Sequence, residues 1–195
     1  MRVITGSARG RKLVTVEGTE VVRPTTDRVK EAIFSAIQFE IEGRTVLDLF
    51  AGSGQLGIEA LSRGASECWF ADNSAVSIKV IRENVESTGF SERSHIVNMP
   101  FSAFLRTASA KFGIAILDPP YGHRIIQKAL PLLVEKMDER GVIVCEHEKE
   151  CVLPESVGEF HLVKILRHGR ISLSIYRIPE ESDENSPKDE EEEDV

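Results

Sequence analysis

The stretch from Thr45 to Gly57 reads TVLDLFAGSGQLG, and it indicates the fold class of the chain. Its first six residues form a short apolar run, which is typical of a strand buried on both faces of a parallel sheet. Glycines then permit a tight turn, and a helical pattern follows. A strand, a glycine turn and a helix in this order predict a βα unit whose helix N-terminus faces a ligand.

Similar apolar runs recur along the chain, with helical patterns between them. We expect strands at residues 67–71, 94–98, 113–118 and 142–146. Ser74 can cap a helix that extends to about Ser87. Apolar residues from Ile126 to Met137 predict another helix, which Pro131 should kink or split. This alternation predicts an α/β sandwich with a mostly parallel central sheet.

The two ends of the chain have other patterns. Residues 160–166 and 171–178 are strand-like and flank His168-Gly169, so we expect an antiparallel C-terminal hairpin at the sheet edge. Residues 1–22 have short strand-like runs with glycines at turns and predict an N-terminal β-hairpin extension. The main folded domain is then expected to span residues 23–179. Residues 180–195 are expected to be a disordered tail, because nothing apolar lies between Glu180 and Asp194.

The net charge of −8 is unevenly distributed. Residues 180–195 hold ten acidic residues and one lysine, so the remaining chain has a net charge of +1. Residues 1–30 hold seven basic and three acidic residues. The acidic balance therefore belongs to the tail, and it does not exclude a nucleic-acid partner.

Several classes of protein are disfavoured by composition. No apolar run approaches the roughly 18 residues that span a membrane, and the N-terminus lacks the apolar core of a signal peptide. Cys68, Cys145 and Cys151 are widely spaced, and the histidines have no ligand-like spacing. We therefore expect a cytoplasmic protein with no membrane partner, no disulfide framework and no metal site.

Asp48 lies within the otherwise apolar strand that precedes the glycines. A buried carboxylate needs backbone N–H donors or a cationic ligand group, and the GxGxxG spacing also fits a dinucleotide site. A sulfonium or ammonium group suits this acid better than a pyrophosphate does. We therefore expect a cationic cofactor, and we assign it to Asp48 and to the loop residues Phe50, Ala51, Gly52, Ser53 and Gly54.

Asp118-Pro119-Pro120-Tyr121 follows another apolar run, so we expect it beside the ligand crevice of the sheet. The two prolines fix the backbone and remove two N–H donors, which leaves a rigid turn rich in acceptors. The Asp118 carboxylate and the Pro119 carbonyl suit the two hydrogens of an exocyclic nucleobase amine, and Tyr121 offers a ring for stacking. A base presented in this way lies outside a stacked duplex. We assign these four residues to catalysis on an amine nitrogen.

These motifs carry a family resemblance. The Asp48 loop resembles the D-x-F-x-G-x-G motif of class I S-adenosylmethionine (SAM) methyltransferases, and DPPY resembles the [DN]PP[YF] motif of amino-methyltransferases. Residues 6–13, GSARGRKL, and 23–34, RPTTDRVKEAIF, are similar to the G-x-x-RGR-x-L and RPT-x-DR-x-[RK]E-x-x-F signatures of the RsmD-like family. With VCEH at 144–147 and HGR at 168–170, the similarity covers about residues 2–178.

The RsmD-like family consists of bacterial 16S rRNA guanine-N2 methyltransferases. The resemblance implies a Rossmann-like class I methyltransferase sandwich, SAM as the cofactor, and 16S rRNA in the small ribosomal subunit or an assembly intermediate as the partner. We expect a monomer. Cations near a glycine turn suit phosphate contacts. The residues that the resemblance assigns to substrate RNA are Arg9, Arg11, Lys12, Arg23, Thr25 and Arg28.

Two positions depart from the family pattern. The family commonly has an acid one residue before Asp72, where this chain has Ala71. In this chain the third predicted strand is followed by Pro100, which has no backbone N–H to donate to an adenine. We expect Asp72 and Asn73 to hold the ribose, with helix capping as the other interpretation of Asp72, and Asn98 to serve the adenine.

The sequence thus predicts SAM-dependent methylation of a guanine N2 amine in 16S rRNA. DPPY alone also fits methylation of adenine N6 or of a protein glutamine. A protein of another class, a non-catalytic RNA-binding assembly factor with a degenerate SAM site, is the further alternative. Its support is the departures at Ala71 and Pro100, and the intact DPPY opposes it.

Overall fold

The computed structural model describes residues 1–16, 27–120 and 124–179. Arg23, Thr25 and Tyr121 lie outside the described residues, as does the predicted acidic tail. Their predicted roles therefore remain predictions. The division of the chain into residues 1–22, 23–179 and 180–195 also remains a prediction.

Helices and strands alternate along the described chain. The helices are α1 (Asp27–Ala36), α2 (Gln55–Ser62), α3 (Ala75–Thr88), α4 (Phe101–Thr107) and α5 (Ile125–Leu133). The strands are β1 (Thr45–Leu49), β2 (Glu67–Asp72), β3 (Ser94–Asn98), β4 (Phe112–Leu117), β5 (Met137–Glu148), β6 (Ser156–Val157), β7 (Phe160–His168) and β8 (Ile171–Arg177).

These strands form one sheet in the order β3-β2-β1-β4-β5-β8-β7-β6. The five neighbouring strands β3, β2, β1, β4 and β5 are parallel, and β8 is antiparallel to both β5 and β7. The predicted α/β fold, with a mostly parallel sheet and antiparallel C-terminal strands, is confirmed. The predicted hairpin at the sheet edge corresponds to β7 and β8, but β8 itself is not an edge strand, because it lies between β5 and β7. Its five central residues are all buried, as an interior strand requires, whereas β7 is largely exposed.

Local signals predicted several element boundaries. Strand β3 has the predicted bounds, and the Ser74 hydroxyl caps α3 by accepting a hydrogen bond from the Ser77 N–H at 3.3 Å. The helical stripe that we extended to Met137 is shorter, because α5 ends at Leu133 and Met137 begins β5. Pro131 lies in the last turn of α5, where it lacks the N–H that would continue the helical hydrogen bonds.

The sheet has a hydrophobic core on each face. Apolar residues of α1, α2 and α3 pack on one face, and those of α4 and α5 pack on the other. Successive strand residues alternate between the faces, so Val46 joins the first core and Leu47 the second. This arrangement directs the carboxyl ends of β1, β2, β3 and β4 toward one edge of the sandwich, where the predicted site residues lie.

Residues 1–16, here called the N-terminal segment, fold back on themselves and pack against the body. One antiparallel bridge joins Arg2 to Lys12, in place of the regular strands that we expected within the described residues. Val3, Ala8 and Leu13 are buried in the first core. The described part of the predicted hairpin extension is therefore packed into the fold through these apolar side chains, whereas its cations are exposed.

Glu59 of α2 anchors this segment. Its carboxylate is fully buried and accepts hydrogen bonds from the backbone N–H groups of Ile4, at 2.8 Å, and Thr5, at 2.9 Å. It also pairs with the Arg63 Nε at 2.9 Å and with the Lys30 Nζ at 3.3 Å. Lys30 is buried too, and burial lowers the pKa of its ammonium group. One carboxylate therefore joins α1, α2 and the start of the chain.

Replacing Glu59 by glutamine should strongly destabilise the protein, because the buried ammonium of Lys30 would lose its counter-charge. Removing one partner of a buried ion pair typically costs about 3 kcal/mol or more. We expect urea unfolding to show this loss for Glu59→Gln, and the double variant Lys30→Met, Glu59→Gln to recover part of it. The exposed Glu83→Gln is the control, with a change within about 0.5 kcal/mol. A loss below about 1 kcal/mol for Glu59→Gln would contradict the anchoring role.

Candidate active site

The glycine loop follows β1 and turns sharply. Phe50 has a φ of +77°, which is strained for a residue with a side chain. The backbone N–H groups of Phe50 and Ala51 both donate to the carbonyl of Ala71, at 3.0 and 3.2 Å, and hold the bend. Gly52 follows with a φ of +55°, and a Cβ added there would meet no atom within 4 Å. The loop is therefore bent so that a ligand can approach the backbone at Gly52.

Asp48 is 1% exposed, and its carboxylate accepts the Gly57 N–H at 2.8 Å. This contact joins β1 to the first turn of α2. Burial, with smaller contributions from the nearby carboxylates of Asp118 and Asp72, raises the pKa of Asp48 from its ordinary value of 3.8 to about 8. A cation bound nearby would stabilise the ionised form of this buried acid.

Asp72 lies at the end of β2, where its carboxylate supports the loop. One oxygen accepts the Gly52 N–H at 2.9 Å, and the other accepts the Ser74 N–H at 2.8 Å. The carbonyl of Asp72 accepts the Asn98 side-chain amide at 3.1 Å. Asp72 thus binds the residue that caps α3, whereas the cap itself is Ser74. A carboxylate has further lone pairs, so these contacts leave room for a hydroxyl donor.

Asn98 and Asn73 are exposed at the same edge of the sheet. Asn98 ends β3, and its amide contact with Asp72 places it beside the second strand's end. Both positions are therefore accessible to a ligand that lies over the glycine loop, and their predicted roles with adenine and ribose remain predictions.

The DPP turn lies at the carboxyl end of β4, as predicted for a ligand crevice. Asp118 is half-buried, Pro119 is buried and Pro120 is exposed. Strand β4 pairs with β1 so that Ile116 lies opposite Asp48 and Leu117 opposite Leu49, and Asp118 therefore follows β4 at the end of β1 where the glycine loop begins. The structure therefore brings the catalytic candidate Asp118 next to the cofactor candidate Asp48.

A small cavity adjoins the DPP turn. Its lining includes Pro119, Pro120, Arg124 and His147. His147 has one ring nitrogen 2.8 Å from the carbonyl of Glu148 and the other 2.8 Å from the Ser174 hydroxyl. Burial lowers the pKa of this imidazole, which favours its neutral form. His147 is thus held in place by hydrogen bonds on both sides.

The predicted RNA-binding cations within the described residues belong to other elements than these carboxylates. Arg9, Arg11 and Lys12 are exposed on the N-terminal segment, and Arg28 is exposed in α1. The acidic site residues thus lie at or near the ends of sheet strands, whereas the predicted RNA-binding residues within the described chain are exposed on the N-terminal segment and α1.

Asn84, which was not among the predicted site residues, contacts the glycine loop. This residue of α3 is 1% exposed, and its amide donates to the carbonyl of Ser53 at 2.9 Å. The available signal was a polar residue on the apolar helical stripe formed by Ile78, Ile81 and Val85.

These residues fit SAM, the cofactor of class I methyltransferases. Gly52 offers an open cradle, a buried acid lies beneath the loop, and polar groups occupy the ends of β2 and β3. Within the described residues, no cluster of histidine, cysteine and acidic side chains could hold a metal ion. None of the described helices has the length and hydropathy to cross a membrane.

Comparison with known proteins gives consistent matches. Ribosomal RNA small subunit methyltransferase D of Haemophilus influenzae is 34% identical over 184 residues, covering 91% of this chain and 93% of that protein. YlbH of Bacillus subtilis, named provisionally as an rRNA methyltransferase, is 40% identical over 182 residues, covering 91% of this chain and 98% of that protein. The solved structure of yhhF from Escherichia coli is 30% identical with a TM-score of 0.79, covering 91% of this chain and 97% of that chain.

The structural neighbours of the chain are class I methyltransferases, which agrees with the sheet order and the loop described above. A family model described as conserved hypothetical protein 95 matches residues 1–177. By sequence and by fold, the chain belongs to this family, the RsmD family.

Proposed function

We propose that this protein is a SAM-dependent methyltransferase that acts on the N2 amine of a guanine in 16S rRNA of the small ribosomal subunit. The observation that carries the proposal is the adjacency of the Asp118 turn to the Asp48 glycine loop. This adjacency brings a rigid turn, whose oxygens can accept hydrogen bonds from an amine, next to a loop suited to a cationic cofactor. The names of the relatives, which act on small-subunit rRNA, support the RNA substrate.

SAM supplies an electrophilic methyl group carried on a sulfonium. The residues that would hold the cofactor are Asp48, the loop from Phe50 to Gly54, Asp72, Asn73 and Asn98. The bend at Phe50 exposes loop backbone to the ligand, and Gly52 leaves the space that a side chain would fill. Asp48 offers a negative charge that a cationic group would stabilise.

The DPP turn would act on the substrate amine. The Asp118 carboxylate and the Pro119 carbonyl would each accept one amine hydrogen, which directs the nitrogen lone pair away from them. Positioning of this kind converts a bimolecular encounter into an oriented one, and it is the main source of rate enhancement that we assign to these residues. After transfer the nitrogen is cationic and releases a proton readily, so a carboxylate suffices as acceptor. Pro120 and Tyr121 would shape the turn and stack on the base.

The exposed cations of the N-terminal segment would contact RNA phosphates. Arg9, Arg11 and Lys12 are exposed on a segment whose start is hydrogen-bonded to Glu59 at Ile4 and Thr5. Arg28 extends this surface, and Arg23 and Thr25 complete the proposed RNA-binding set. Such contacts position a duplex or loop without reading its sequence.

The direct test is labelling of small ribosomal subunits that lack the modification, with tritiated SAM and purified protein. We expect the label on one guanine of 16S rRNA, as N2-methylguanine after nuclease digestion and chromatography. Label on adenine or on a protein would contradict the guanine assignment, and absence of label with bound RNA would favour the assembly factor.

Asp118→Ala should abolish methyl transfer while leaving SAM affinity nearly unchanged, because it removes an amine acceptor and leaves the glycine loop intact. Gly52→Val should instead strongly weaken SAM binding, because a branched side chain at a positive φ would strain the loop and fill the cradle. Calorimetry with SAM and single-turnover kinetics separate the two effects. Normal turnover by Asp118→Ala, or retained SAM affinity in Gly52→Val, would overturn the corresponding assignment.

SAM affinity should rise with pH through the titration of Asp48. Because the pKa of Asp48 is about 8, the group is mostly protonated at pH 6, and binding of a cation must release that proton. The dissociation constant should therefore fall by up to about tenfold per pH unit below pH 8 and level off above it.

The control for this pH dependence is Asp48→Asn, which keeps the shape of the side chain and cannot titrate. Calorimetry in two buffers of different protonation enthalpy should detect a proton released by the wild type and not by the variant. Comparison with the variant also removes the contribution of SAM's own ionisation. Equal pH profiles for the two proteins would show that Asp48 does not contribute to cation binding.

A further inference from the structure

Ser53, in the middle of the glycine loop, is held from two sides. Its carbonyl accepts the Asn84 side-chain amide at 2.9 Å, and its hydroxyl lies 3.3 Å from the sulfur of Met1. Met1 belongs to the N-terminal segment, so the start of that segment contacts the loop directly. Asn84 comes from α3 and belongs to neither element.

Asn84 joins the loop to the other arm of the N-terminal segment. Its amide also donates to the carbonyl of Val14 at 2.9 Å, and its own carbonyl accepts the Val14 N–H at 2.8 Å. The buried amide therefore uses both its donor and acceptor groups, and each partner is backbone. Since buried polar groups are costly to leave unpaired, this arrangement resists movement of Val14 relative to Ser53.

The two arms of the segment are also joined to each other near Ser53. The Leu13 N–H donates to the Met1 carbonyl at 3.1 Å, and the Arg2–Lys12 bridge follows. Lys12 and Arg11 are two and three residues from Val14, which is within about 10 Å along an extended chain. The proposed RNA contacts therefore lie close to the point where the segment holds the loop.

We propose that Asn84 is a positioning residue that couples RNA binding on the N-terminal segment to cofactor binding at the glycine loop. This inference rests on the proposed function, because it assumes that both ligands bind. RNA that fixes the segment would restrict Val14, and through Asn84 it would restrict Ser53 in the geometry that the cofactor needs. The linkage is reciprocal, so the bound cofactor strengthens RNA binding by the same factor.

The test measures the affinity of S-adenosylhomocysteine, which cannot transfer a methyl group, with and without unmodified 16S rRNA. In the wild type, RNA should lower its dissociation constant by about fivefold or more. Asn84→Ala should weaken binding of S-adenosylhomocysteine by about tenfold without RNA, and RNA should then change the affinity by less than about twofold.

Val85→Ala is the matched control. It truncates the neighbouring buried residue of α3 to the same side chain, and Val85 has no hydrogen bond to the loop or to the N-terminal segment through its side chain. It should destabilise the protein and keep the effect of RNA on cofactor affinity. Loss of the RNA effect in both variants would indicate general destabilisation and overturn the role of Asn84.

Two wild-type results keep this proposal separate from the proposed function. Binding of both ligands with no mutual effect would overturn the coupling and leave the methyltransferase assignment intact. Failure to bind S-adenosylhomocysteine or RNA at all would overturn both. If Asn84→Ala does not fold, hydrogen exchange of wild-type amides decides: RNA should slow exchange at residues 52–57, and unchanged exchange there would contradict the coupling.

Discussion

The buried carboxylate of Glu59 is the contact on which the rest of the site depends. It pairs with Lys30 of α1 and Arg63 at the end of α2, and it accepts backbone N–H groups from residues 4 and 5. A buried ion pair contributes little net stability compared with apolar packing, but it tolerates few alternative arrangements. Its effect here is to fix where the N-terminal segment lies on α2, and therefore where its cations and its contacts with the glycine loop lie.

The acids at the carboxyl edge of the sheet have different roles in the site. Asp72 accepts two backbone N–H groups and builds the loop, whereas Asp48 is buried beneath it with a raised pKa. Asp118 directly follows β4, the strand that pairs with β1, and contributes to the raised pKa of Asp48. Acids placed together raise the energy of the ionised state, and a bound cation relieves it. The site is therefore arranged in advance for positive charge.

The sequence predicted those features that depend on neighbours along the chain. The strand at 94–98 and the cap at Ser74 follow from local apolar runs and capping chemistry, and both are observed. The loop and the DPP turn lie at strand ends because a strand must end before a glycine or proline turn. The family resemblance predicted the class I fold, which the structure and its neighbours confirm.

Features that depend on distant partners were not predicted. Glu59 looked like an ordinary helical residue, because its partners other than Arg63 are 29 and more than 50 residues away. Asn84 is separated from Val14 by 70 residues. The interior position of β8 likewise depends on which strand it meets, and periodicity alone describes only that the strand is buried on both faces.

The interior position of β8 also has a consequence for the growing chain. During synthesis, β5 leaves its outer edge without a partner until residues 171–177 emerge, and that edge includes the apolar residues Ile143, Val144 and Cys145. An open apolar edge is a template for pairing with another chain. A chain that assembled the parallel half of its sheet before β8 paired with β5 would therefore pass through a stage with an edge prone to aggregation. The final hairpin ends that stage by covering the edge from within the same molecule.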